Sequence, residues 1–360
     1  MTFLLLRPLS RGSRWACSYS QSLLLGVILV AAGESKAVQI PGYTNSFPSL
    51  RYFTVYLPGS SRTNKQLAVL DVPFGRFDTS LRYQQVINSN AFYSFPSEGA
   101  FIHSIYLRPG CRGNNGSEIK GLQVRLTHTT NSADHLSATL DENLGADVIS
   151  VFDSPQFGIG GYGVRKCEVN IADPFQLAMT LKTPFLYRPS QGNLLLDLIV
   201  PKPFPEFEDP WSGYIPPFFS EAVDETGDET SSLVAIPSSS KTAQVVCTAG
   251  LVMEFVLAPL PRIYAYVSGN DILLYFPARP FGLRVQSREV TSGSPWSDYK
   301  GSANVLGGQD IEDFYTLYAI PLSSLKAPTL FRLFWNSPQV GLPGVAAPPE
   351  FPGDGVETEN

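Results

Sequence analysis

Charge is scarce in this chain, and so are the residues that usually carry chemistry. Only 16% of its 360 residues are charged, three are histidine, three are methionine, and cysteine and tryptophan number four each. A charged fraction this far below the usual quarter or so argues against a helical bundle, whose solvent faces need alanine, glutamate and lysine. No apolar run extends much past about ten residues, whereas a membrane-spanning helix needs roughly 20. No G-x-S-x-G occurs, so the strained turn that presents a serine nucleophile is missing. His103, His128 and His135 have no nucleophile or acid partner at a recognisable spacing, and they read as structural. No close cysteine spacing offers a zinc site, and no cofactor or catalytic residue is expected.

The first 37 residues are ordered as an export signal. Arg7, Arg11 and Arg14 precede an apolar run at 23–32 (LLLGVILVAA), and Ser35-Lys36-Ala37 supplies the small-x-small pattern of a cleavage site after Ala37. The expected mature chain is secreted, or held in the cell envelope, and has no membrane span. The signal carries four basic residues and one acid, so its removal takes the formal net charge from −6 to about −9. An acidic protein repels phosphate backbones, which excludes nucleic acid as an expected partner. The cysteines left after cleavage are Cys111, Cys167 and Cys247; with an odd number at most one internal disulfide forms, and the pairing stays open.

Thirty glycines, 30 prolines and 12% aromatic residues suit many short strands joined by turns. Period-two alternation recurs: Leu122, Val124 and Leu126; Phe175, Leu177, Met179 and Leu181; Ile263, Ala265 and Val267. It predicts strands with one face in a core and the other toward water. The run 193–200 (NLLLDLIV) predicts a strand covered on both faces, and the one short helix is placed near 137–144. The fold class is all-β. Length and punctuation suggest a jelly-roll-like β-sandwich over 38–258, with an irregular excursion at 201–240. A linker at Ala258-Pro259-Leu260-Pro261 then leads to a small immunoglobulin- or fibronectin-III-like β-sandwich over 259–337. That second part opens with a hairpin whose turn is Gly269-Asn270. Residues 338–360 are expected to be a disordered acidic tail.

Several clusters invite a functional reading. Asp141, Glu142, Asp147 and Asp197 include possible carboxylate pairs for glycoside hydrolysis, which needs two about 5–10 Å apart in a cleft; a solvated or capping role fits the first three better. Asp224, Glu225, Asp228 and Glu229 could offer oxygen ligands to calcium, although the D-x-[DN]-x-[DN]-G spacing is missing. Gly158–Gly163 (GIGGYG) has no helix behind it to hold a phosphate, and it reads as a strand connection. Trp211, Tyr214 and Phe218, set among prolines, are candidates for stacking on sugar rings.

Two segments resemble a known family. The first runs from Arg82–Asn88 (RYQQVIN) through Ala100–Pro109 (AFIHSIYLRP) and Asp141–Asp147 (DENLGAD) to Thr183–Pro189 (TPFLYRP) and Gly192–Asp197 (GNLLLD). It resembles the β-sandwich ectodomain of exported bacterial proteins of the PEP-CTERM-associated type. The second comprises Ser268–Pro277 (SGNDILLYFP), Phe281–Ser287, Trp296-Ser297-Asp298 and Phe331-Arg332-Leu333. It resembles the small immunoglobulin-like module that often ends such proteins, with Phe276 where tryptophan is usual. The resemblance implies a fold and no defined catalytic residue. In the tail, Pro348–Pro352 echoes the sorting motif, but no apolar span follows it. The expected function is non-catalytic binding, adhesion or matrix assembly outside the cell, with polysaccharide or matrix components as partners. The rival is a divergent polysaccharide hydrolase or lyase with an accessory β-domain, and a purely structural matrix component is a third reading.

Overall fold

A computed structural model describes residues 28–30, 52–57, 68–70, 72–74, 79–110, 114–162, 175–201, 220–224, 227–261, 263–277, 283–289, 295–306, 315–325 and 329–335. They form an all-β sandwich protein built from antiparallel sheets, with no helix of seven residues or more among them. Among the described residues no helix is long and apolar enough to cross a membrane. The chain divides into two units, residues 52–259 and residues 260–360 together with 1–51.

The strands are β1 (Ile28–Val30), then in the first unit β2 (Phe53–Leu57), β3 (Ala68–Leu70), β4 (Leu81–Ile87), β5 (Ala100–Leu107), β6 (Asn114–Ile119), β7 (Leu122–Thr129) and β8 (Ile149–Ser154). They continue with β9 (Phe157–Tyr162), β10 (Leu177–Tyr187), β11 (Asn193–Val200), β12 (Ser220–Val223), β13 (Thr230–Ala235), β14 (Val245–Cys247), β15 (Gly250–Leu251) and β16 (Met253–Pro259). A six-stranded sheet, β14-β13-β4-β11-β7-β8, shares one apolar core with a four-stranded sheet, β10-β5-β16-β2. Period two decides which residues enter it. Leu194, Leu196, Leu198 and Val200 of β11 meet Ile102, Ile105 and Leu107 of β5 and Met179 of β10, all fully buried. Each such side chain contributes roughly 1.5–3 kcal/mol through burial. The strands β15-β12-β3 and the two-stranded antiparallel sheet β6-β9 complete the unit.

The continuous apolar character of β11 has the expected cause: its second face is covered as well. The connection from β7 to β8 crosses the back of the six-stranded sheet, and Ala133, Leu136 and Leu144 pack there on Val86 and Leu195. The expected short helix is a 3-10 turn, Leu140–Asn143, within this connection. Asn143 fastens it to the sheet, donating to the Gln84 side chain at 3.0 Å and accepting from the Asn131 amide at 2.6 Å and the Ser137 backbone N–H at 2.8 Å.

The stretch 201–240 departs from expectation. It is not wholly irregular: β12 and β13 both lie in it, and β13 pairs with β4 inside the six-stranded sheet. The acid-rich composition read as solvated loop, but Glu221 is buried because Arg108 pairs with it at 3.4 Å. Ser232 is buried because its hydroxyl donates to the Ala249 carbonyl at 2.6 Å. Local polarity was satisfied by partners distant in sequence. Residues 202–219, which include Trp211, Tyr214 and Phe218, lie outside the described residues.

The second unit contains β17 (Tyr264–Ser268), β18 (Asp271–Pro277), β19 (Leu283–Glu289), β20 (Ser297–Asp298), β21 (Ala303–Leu306), β22 (Tyr315–Pro321) and β23 (Thr329–Trp335). Two sheets result, β17-β18-β22-β21 and β1-β23-β19-β20. Ile272, Leu274, Phe276, Val285, Ile320, Phe331 and Leu333 are buried. The Tyr299 ring contacts Tyr318 of one sheet at 5.8 Å and Phe331 of the other at 5.7 Å. The β17–β18 hairpin turns at Gly269-Asn270; only Gly269 takes positive φ, +61°, as a type II′ turn requires of its first central residue. Strand β1 lies inside the stretch read as an export signal and pairs Ile28 with Phe331.

Candidate functional site

The two faces of the first unit are treated differently. The back of the six-stranded sheet is crossed by the connection just described, whereas the outer face of the four-stranded sheet keeps partly exposed and exposed side chains. On that face a row of side chains stands in register. Glu254 of β16 is opposite Tyr56 of β2 on one side and Tyr106 of β5 on the other. All three are partly exposed, while their neighbours Val55, Leu57, Phe255, Ile105 and Leu107 point into the core. Tyr56 hydrogen-bonds to the Glu254 carboxylate.

One residue pair further along, the sheet is irregular. The register of β5 shifts between Ile102 and Ser104 against both neighbours: His103 is the extra residue of a β-bulge against β16, while against β10 the residues between Thr180 and Phe185 stand opposite it. Ile102 and Ile105 both enter the core, so the bulge turns His103 and Ser104 together to the outer face. The Ser104 hydroxyl lies 2.8 Å from His103 Nδ1, and the Tyr52 ring meets the imidazole edge-on at 5.1 Å. At the other end Phe175, expected inside as part of β10, precedes that strand. Its ring lies 5.6 Å from that of Tyr56 and 4.3 Å from the Arg108 guanidinium carbon.

The electrostatics follow from this packing. Burial pushes the Glu254 carboxyl above its usual value, although Arg108 and the Tyr56 hydrogen bond pull the other way. Burial likewise holds the His103 imidazole below its ordinary value. Arg108 is itself almost wholly buried and paired with Glu221. The face therefore presents rings, one carboxylate and an imidazole, while the Ser104 hydroxyl bonded to that imidazole is itself buried. Such groups stack on sugar rings and accept from sugar hydroxyls.

No family model matches this chain, and no curated protein or solved structure does either.

The residues singled out in the sequence fall elsewhere. Asp197 is fully buried on the back of the six-stranded sheet; Arg82 Nε donates to it at 2.9 Å, and Arg125 pairs with its second oxygen. Asp141 accepts from Arg82 at 2.8 Å, and that guanidinium holds its carboxyl below the usual range. Glu142 accepts from Ser137 at 2.5 Å. Asp147 sits on His128. Asp141 and Asp197 thus share the Arg82 guanidinium, and each of the four acids is engaged by a cation, a hydroxyl or an imidazole. Asp224 accepts from the Thr248 hydroxyl at 2.6 Å, and Asp228 accepts the Thr230 N–H at 2.9 Å. The backbone of Glu229 receives the Asn88 N–H at 2.9 Å, and Glu225 lies outside the described residues. No three His, Cys, Asp or Glu side chains converge on a common metal position among the described residues. Cys247 is a free thiol on β14, and Cys111, Cys167 and Ala37 lie outside the described residues. His135 Nδ1 is 3.0 Å from the Ala133 carbonyl.

Tyr56, Tyr106 and Glu254 were not visible as a group in the sequence. The only local signal is an outward phase, at Tyr52-Thr54-Tyr56 and at Glu254-Val256, that carries rings and an acid.

Proposed function

We propose that this is an exported binding protein that takes a polysaccharide on the outer face of the β10-β5-β16-β2 sheet. The observation that carries the reading is the in-register row Tyr56–Glu254–Tyr106, whose three side chains are partly exposed on one sheet face. Saccharide rings lay their C–H faces on tyrosine, and Glu254 accepts from a hydroxyl at the centre of the row. The export signal and the resemblance to exported bacterial β-sandwich proteins support an extracellular or envelope setting. Adhesion or matrix attachment is the role that setting implies.

The test is a glycan array on the chain from Val38 onward, followed by titration of the best neutral oligosaccharide. Tyr106→Ala and Tyr56→Ala should each weaken binding about tenfold, about 1.4 kcal/mol, with the unfolding transition retained. Unchanged affinity in both variants would overturn the reading. The rival, a polysaccharide hydrolase, requires a second carboxylate about 5–10 Å from Glu254. Glu221, which shares Arg108 with it, is buried and ion-paired. Release of reducing ends from the bound polymer would favour the enzyme.

A further inference from the structure

The second unit has a face of different chemistry. Val285 of β19 is buried, so Arg284, Gln286 and Arg288 stand on the opposite side of that strand. Beside them on β23, Arg332 is opposite Gln286 and Phe334 is opposite Arg284. Trp296, just before β20, gathers two of the cations: the Arg332 guanidinium carbon is 4.4 Å from the centre of its ring and that of Arg288 is 4.9 Å away. Phe334 takes Arg332 at 5.7 Å and Arg284 at 5.8 Å. The Gln286 carbonyl accepts from Arg332 at 3.0 and 2.9 Å, and Arg284 donates to Asp298 at 2.8 Å. Arg288 has no carboxylate within ion-pair distance among the described residues.

A guanidinium uses its flat face to stack and its edge to donate. Arg332 is buried and spends its Nε and Nη2 on Gln286. Arg288 is partly exposed beside Trp296, and stacking there restricts its rotation, so less freedom is lost when an oxyanion binds its N–H edge. The spacing matters as well. Arg284 and Arg288 lie four residues apart on one strand, roughly 13 Å along it at about 3.3 Å per residue, with Arg332 across from the midpoint between them. Two accessible cations so spaced, with the buried Arg332 between them, suit a polymer with repeating negative groups better than a single small anion.

Charge is divided between the units in the same sense. Residues 260–335 hold seven basic and six acidic residues, whereas residues 52–259 hold 14 basic and 21 acidic. The overall acidity belongs to the first unit, so the net charge of the chain does not describe the surface around Arg288.

We propose that the Arg284–Arg288–Arg332 face, organised by Trp296 and Phe334, binds an acidic polysaccharide that carries carboxylate or sulfate groups along its length. This site is separate from the tyrosine face and does not depend on it. Together the two would let one chain hold a neutral and an acidic polymer.

The experiment uses the chain from Val38 onward with a polyuronate, a sulfated dextran and unsulfated dextran, at low and near-physiological salt. Binding to at least one acidic polymer, weakened by salt and absent for unsulfated dextran, is expected, since exposed charges are screened beyond about 8–10 Å. Whichever of the two binds identifies carboxylate or sulfate as the recognised group. Arg288→Gln should weaken that binding about tenfold, as loss of one charge-assisted contact does, with the melting temperature unchanged. Arg288→Lys should recover part of it, and Tyr106→Ala should leave it intact. The proposal fails if neither acidic polymer binds at low salt, or if folded Arg288→Gln binds as well as the parent. It fails equally if Tyr106→Ala abolishes the binding, or if single-stranded DNA binds more tightly than both polysaccharides.

Discussion

His128 Nδ1 lies 2.5 Å from an Asp147 carboxylate oxygen, while its Nε2 accepts the Arg188 backbone N–H at 3.0 Å. The two contacts define the tautomer, with the proton on Nδ1 facing the acid. The ring is buried, stacked on Tyr187 at 5.2 Å and tilted against Phe185 at 5.3 Å. With both nitrogens committed, His128 ties the ends of β7 and β10 together. His128→Ala removes buried ring contacts and leaves the Arg188 amide without its acceptor. A loss of about 2–4 kcal/mol is expected in urea denaturation, with binding to the tyrosine face retained in the folded fraction.

Asp147 should make part of the acid sensitivity of the fold. Burial raises its carboxyl, but His128 and the hydrogen bonds from Thr127 and the His128 amide outweigh burial and hold it below its ordinary value. A carboxyl depressed in the folded state contributes stability that is present above its unfolded value and lost as pH falls through the folded one. Asp147→Asn should therefore cost stability at neutral pH and flatten the decline in melting temperature below about pH 4. An acid limb identical to the parent's would contradict this.

The buried Asp197 is the point where removal of one group should cost most. Asp197→Ala leaves Arg82, which is largely buried, without its main partner, and breaking such a cluster costs about 3–5 kcal/mol. Arg125→Gln, which leaves the Arg82 pair in place, should cost clearly less. Chemical denaturation of the two variants against the parent checks the order.

Glu254→Gln should separate stability from binding. Its carboxyl is raised by burial, so the folded state gains stability as pH falls through that raised value and carries the ionised form at some cost above it. The amide removes that cost, and the melting temperature at neutral pH should equal or exceed the parent's. Saccharide affinity should fall, because the acceptor at the centre of the row has changed. A stability loss together with unchanged affinity would make Glu254 a structural residue.

Export is checked at the N-terminus. Protein recovered from the medium should begin at Val38, with cleavage after Ala37. A retained Met1 there would refute the signal.

The fold class was legible because period-two alternation is a local property. Leu122, Val124 and Leu126 all reach the core as read, and Gly269-Asn270 closes its hairpin as read. Strand β11 announced its two-sided burial by composition alone. Strands β12 and β13 were not legible, because Glu221 and Ser232 look solvent-facing until Arg108 and the Ala249 carbonyl are placed beside them. Phe175 continued an alternation that the chain does not follow before Leu177.

What the sequence by itself determined is the alternation, the turns and the charge, since each depends on residues a few positions apart. Only the tertiary structure decided where the acids go and which rings share a face. Tyr56, Tyr106 and Glu254 meet through three strands drawn from opposite ends of a unit of some 200 residues. Arg288 meets Arg332 over Trp296 in the same way. Strand pairing sets such neighbours by backbone hydrogen bonds and shared core burial, and no local pattern of side chains encodes which distant strand will lie alongside.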